Sequence, residues 1–161
     1  MKRYDWLGFG IACALGTAAH FVYVWCPAPL LGLFVPVNES VWEHLKLLFW
    51  PTVLTAIGMA HASAHPQRFW SAVLWMVLVT PVGMLGVYYL LRAGFSLHCL
   101  ALDLLLYYGT MGVQFWGIAR LRTRSIEHHA GILVMLAGLY AICLMALTLA
   151  PPQLPIFTPD G

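Results

Sequence analysis

The densest chemistry in the chain lies in Pro36-Val37-Asn38-Glu39-Ser40-Val41-Trp42-Glu43-His44-Leu45-Lys46. Glu39 and Glu43 are four apart, as are Ser40 and His44, so on a helix each pair shares a face. Glu43 and Lys46, three apart, are placed to form an ion pair. Asn38 is a good N-cap, and Ser40 with Glu43 would make an overlapping capping box. One helical turn would then present two carboxylates, an imidazole and a hydroxyl. Carboxylate and imidazole together suit a divalent metal, zinc first and iron or manganese next, and the same groups suit a proton relay. The expected site has His20, His44, Glu43 and Asp103 as metal ligands and Glu43, Glu39 and Ser40 as the catalytic groups. Asn38, Pro36, Trp42 and Lys46 shape the helix entry. The plainer alternative is a well-capped helix whose Glu and Lys sit in the headgroup layer.

The elements that must carry these groups are membrane helices. The 161 residues are 61% hydrophobic and only 9% charged, against about 25% charged in soluble domains. A water-soluble domain of this size could not hide so much apolar surface in one core. The 14% aromatic share, with seven Trp, suits the headgroup boundary. Five stretches approach the roughly 20 residues that cross a hydrocarbon core of about 30 Å: Trp6 to Cys26, Leu45 to His61, Phe69 to Leu91, Cys99 to Ile118 and Ala130 to Leu149. Pro51 and Pro81 fall inside two of them and predict kinks. The first stretch is too long for a removable signal and lacks a small-residue cleavage pattern, so it reads as a retained helix. The expected fold is an all-α, polytopic bundle of five transmembrane helices, one domain over 1–150, with an extended, poorly ordered tail over 151–161.

Orientation follows from basic residues near the span ends. Lys2, Arg3, Arg68, Arg120, Arg122 and Arg124 fall on one side, and Lys46 and Arg92 on the other. The N-terminus is therefore expected in the cytoplasm, with Arg120, Arg122 and Arg124 meeting anionic headgroups. His20, the Glu39–Lys46 segment, His98 and Asp103 then reach the outer side from three helices, although intramembrane charge is expensive. The apolar loop from Pro27 to Pro36 reads as a lid or re-entrant stretch over that cluster, or as an ordinary interfacial turn. His61 and His65 would share a helical face on the far side without the Glu of a zincin, and His128 and His129 read as a solvated turn. Cys26 and Cys99 both fall at outer span ends, within reach of a disulfide in an oxidising compartment. The net charge of +2 gives no basis for nucleic acid. The expected surroundings are the lipid bilayer and a lipid-like small molecule, with a homo-oligomer or a larger membrane complex as further options.

The segment from Gly32 to Phe49, with Pro51 after it and His20-Phe21-Val22-Tyr23 and Trp25 before it, resembles the signature of a family of small multi-pass bacterial membrane proteins of unknown function. The resemblance covers about a third of the chain, with Asp103 and the hydropathy comparable beyond it. It implies a bacterial inner-membrane location and His20, Asn38, Glu39, Ser40, Glu43, His44 and Asp103 as the site. It brings no activity. A looser likeness to the membrane hydrolases that include the alkaline ceramidases is one of site chemistry only, since those place Ser, Asp and three His around zinc in a seven-helix bundle.

Three functions follow from such a cluster. One is a metal-dependent hydrolase of a lipid or lipid-linked substrate, with a carboxylate as general base and Ser40 orienting the substrate. A second is a proton or metal-ion transporter, for which Thr52, Thr55 and Thr80 are the few groups that would continue a path. The third is a non-catalytic subunit or assembly factor, with haem held by His20 and His44 as a variant.

Overall fold

The structure, a computed structural model, describes residues 2–159. The described residues form helices α1 (Arg3–Trp25), α2 (Pro29–Gly32), α3 (Val41–Ala60), α4 (Pro66–Tyr89), α5 (Leu100–Leu121) and α6 (Ala130–Leu149), and no strand. Each of the five apolar stretches becomes one long helix, displaced by a few residues at most. Three segments are long and apolar enough to cross a membrane: Arg3–Trp25, Pro66–Gly94 and Glu127–Leu149. Helices α3 and α5 are of similar length, but Glu43, His44 and Lys46 dilute the first, and Asp103 and Gln114 the second.

The apolar surface points both ways. Leu48, Val73, Val77, Met111 and Leu144 are buried between helices, while Val82, Leu105 and Met135, well inside α4, α5 and α6, are exposed. Apolar side chains on the outside of a bundle suit lipid as the surrounding solvent. Helix α4 packs against α3, α5 and α6, and α1 packs against α3 and α5.

Few polar groups enter this interior, and most of those that do are matched. The Thr80 hydroxyl lies 2.7 Å from Met76 O and 2.9 Å from Gln114 Oε1. Gln114 Nε2 donates to Leu48 O at 3.4 Å. These bonds tie α3, α4 and α5 together, and Gln114 was not among the residues singled out from the sequence. Pro51 has no N–H, which leaves Leu47 O without its usual helical donor. Helix α1 comes against this carbonyl at Gly16. A Cβ on Gly16 would overlap the Tyr107 hydroxyl and lie 3.3 Å from Leu47 O. Gly16→Ala should therefore lower stability by about 1–3 kcal/mol through overpacking, read as a lower melting temperature in detergent. Gly8→Ala should be milder, since the flexible Met59 side chain is its nearest neighbour.

At one end of the bundle, ion pairs join distant segments. Buried Asp5 lies 2.9 Å from Arg122 Nη2, whose guanidinium also covers the Tyr4 ring. Arg68 Nε donates to Glu127 at 3.0 Å. Two of the arginines read from the sequence as surface charge are thus engaged within the protein. The four cysteines are free, so the considered Cys26–Cys99 bond is not formed. In the tail, a 3-10 turn at Pro155–Phe157 returns to α3 and sets the Phe157 ring 5.0 Å from that of Trp42. The tail therefore docks on the bundle where an extended, unattached segment was expected.

Candidate metal site and its cavity

The start of α3 decides which groups meet. Ser40 is the N-cap, its Oγ accepting from Glu43 N at 3.4 Å. Asn38, the expected cap, instead accepts from Ser40 N through Oδ1 at 2.9 Å. That bond occupies the donor a full capping box would offer Glu43, so only half of the box forms. Because the helix begins at Val41, Glu39 precedes it. The four-residue helical spacing between Glu39 and Glu43 does not apply, and the two carboxylates part.

Glu43 turns inward. Its Oε2 lies 2.6 Å from Lys46 Nζ and accepts from Val37 N at 3.0 Å, and its Oε1 lies 2.8 Å from the Thr148 hydroxyl of α6. Lys46, with 0% of its surface exposed, also donates to Gly32 O at 2.6 Å and Val35 O at 3.3 Å. Both Glu43 oxygens are engaged in this closed network, so the expected metal and catalytic roles of Glu43 do not fit its position. The expected pairing with Lys46 does fit. The network also pins the loop after α2, which the sequence reading left as a lid or a turn.

Glu39 turns outward and lies between two imidazoles. Its carboxylate oxygens are 3.8 Å from His20 Nε2 and 3.5 Å from His44 Nε2. One ligand atom from each of His20, Glu39 and His44 lies within 4.8 Å of the others. Donors around a tetrahedral zinc stand about 3.3 Å apart, given bonds of about 2.0 Å. Binding an ion would therefore draw the three groups closer together, and Glu39, with a side chain 66% exposed, has room to move. His44 Nδ1 lies 2.8 Å from Ser40 O. A carbonyl at that nitrogen calls for an N–H there and leaves the Nε2 lone pair available, the arrangement found around metal-binding histidines.

The other expected residues have different places. Asp103 Oδ2 accepts from Arg92 Nη2 at 2.9 Å, which takes it out of the ligand group. Arg92 stands on a π-helical turn, Leu90–Gly94, that continues α4. Its guanidinium covers the Tyr88 ring, and Nη1 lies 3.1 Å from His98 Nδ1. Such turns recur at functional sites. Ser40 is buried, and its hydroxyl serves the helix start, so it is not placed to orient a substrate. Pro36 is buried in the turn before α3. His61 closes α3 and His65 precedes α4, so they do not share a helical face.

His20, Glu39 and His44 line a cavity of about 520 Å³, together with Arg92 and Asp103. Below them its walls are mainly apolar, with Leu47, Met84 and Leu106 from α3, α4 and α5. Thr17 and Tyr108, whose hydroxyls are 2.9 Å apart, and Tyr107 add polar points. Arg92 entered the sequence reading as an orientation charge. Its place in the cavity depends on a turn with no sequence signature.

A family model described as "Family of unknown function (DUF6512)" matches residues 1–160, and the chain belongs to that family. No curated protein and no solved structure matches it.

Proposed function

Because membership in that family carries no activity, we propose from the geometry that this is a metal-dependent membrane hydrolase acting on a lipid or lipid-linked substrate. The observation that carries the reading is the convergence of His20, Glu39 and His44 at the rim of an apolar cavity. Two histidines and one glutamate make a donor set used by catalytic zinc, with a fourth position left for water or substrate. Zinc in such a site lowers the pKa of its water to about 7. Asp103, the other carboxylate lining the cavity, is the proposed base. It would take the proton as the water oxygen bonds to the ester carbon or phosphorus, then return it to the leaving oxygen. Arg92, 2.9 Å from Asp103 Oδ2, holds that carboxylate in orientation.

In the same reading the chain crosses the bilayer five times, with the N-terminus in the cytoplasm and this site on the outer side of a bacterial inner membrane. The basic residues of the sequence support that orientation. For a transporter, Thr52, Thr55 and Thr80 would have to continue a polar path. The Thr52 and Thr80 hydroxyls are instead directed at Met111, Met76 and Gln114, and that of Thr55 is buried without a partner, so no continuous polar path supports that reading.

Elemental analysis of protein purified in neutral detergent without chelator tests the metal. About one zinc, iron or manganese per chain is expected, and it should be absent from folded His20→Ala and His44→Ala protein. A wild-type protein that holds no metal, even after zinc is added, would end this reading.

A further inference from the structure

The cavity says more about its ligand than that it is greasy. The Glu39 and Asp103 carboxylates and the Arg92 guanidinium share its lining with His20 and His44. With neutral imidazoles, two carboxylates against one guanidinium leave the site at net minus one. A divalent ion bound by His20, Glu39 and His44 turns that to plus one. In a low-dielectric setting a reversal of this size decides which head groups enter. Arg92, which lines the cavity, is already oriented by Asp103 and Tyr88, so a fixed positive charge is held there for an anionic head.

Beyond these groups the space is shaped for a chain. Its volume of about 520 Å³ lies within the roughly 300–1,000 Å³ of small-molecule sites. Phe21, Leu100 and Leu104 line it and are also exposed on the outer surface, so one side opens toward the surrounding lipid. Tyr107, its hydroxyl buried against Gly16, adds a ring to the wall. A free inorganic anion would use the charged groups and leave these walls empty.

We infer that the cavity binds a single-chain amphiphile with an anionic phosphate or carboxylate head, and that metal binding and amphiphile binding reinforce each other. This rests on the metal site proposed above. The coupling is reciprocal, so the amphiphile must tighten the metal by the same factor as the metal tightens the amphiphile.

The test measures zinc affinity by competition with a chromophoric chelator in neutral maltoside micelles, corrected against protein-free micelles. Dodecyl phosphate should tighten zinc about tenfold, within the usual range for coupled sites. Inorganic phosphate and dodecyltrimethylammonium should not. The cavity-filling Leu104→Trp should keep zinc affinity without amphiphile and lose the enhancement, and Arg92→Gln should lose the enhancement relative to its own amphiphile-free zinc affinity. Zinc binding that dodecyl phosphate leaves unchanged would overturn the inference while the metal site stands. Equal enhancement by inorganic phosphate would overturn the amphiphile assignment in favour of a free anion. A chain that binds no zinc at all would remove both.

Discussion

Glu39→Ala protein should reach wild-type amounts, melt within a few degrees of wild type and bind zinc at least about a hundredfold more weakly. The stability expectation follows from exposure: the Glu39 side chain is 66% exposed and takes part in no buried network, and such surface changes stay within about 0.5 kcal/mol. The affinity expectation follows from its position between His20 and His44. Loss of an outer-shell partner already costs about 10–100-fold in metal affinity, and a direct ligand should exceed that. Chelator competition and a melting curve on the same sample give both quantities. Zinc retained at wild-type affinity would remove Glu39 from the site and leave two histidines, too few to hold the ion in the manner described.

Lys46→Ala should produce the opposite pattern, with the fold damaged first. Removing one member of a buried ion pair costs about 3–5 kcal/mol, because the other charge is left without a partner. Here the orphan would be Glu43, and the carbonyls of Gly32 and Val35 would lose their donor as well. The accumulated amount should fall sharply, together with resistance to thermal unfolding. Combining Lys46→Met with Glu43→Gln should recover more than half of the loss, since an apolar replacement of a buried pair is often close to neutral and Gln keeps an acceptor for Val37 N. Whatever double-variant protein folds should bind zinc normally. If Lys46→Ala is as stable as wild type, the network does not hold the start of α3 in place.

Much of this was legible in the sequence, and the part that was not has an identifiable cause. The five long helices follow from apolar runs, and they form within a few residues of where hydropathy puts them. Most of the site was read from one motif, and the motif was read as one helical turn. Shifting the helix start to Val41, with Ser40 as cap, removes Glu39 from the helix. The eleven residues then split into an outward group, Glu39 and His44, and an inward group, Glu43 and Lys46. The choice between Asn38 and Ser40 as cap turns on one hydrogen bond, since both are good N-caps. Asp103 was placed at the right end of the bundle but assigned to a metal, because its pairing with Arg92 depends on the π-helical turn after Tyr89. Gln114 passed without notice, and Thr80 was read only as a step on a path, because their bonds cross between helices, where periodicity says nothing.

The closed network around Glu43 also orders the making of the protein. Lys46 obtains two of its acceptors, Gly32 O and Val35 O, from residues synthesised just before it. Glu43 has to wait for Thr148, near the end of α6 and 105 residues further along the chain. Until then one oxygen of a buried carboxylate lacks its hydroxyl. The start of α3 is therefore complete only once α6 has been made, and a nascent chain halted before α6 should remain a target for proteolysis even though α1, α3, α4 and α5 have been synthesised.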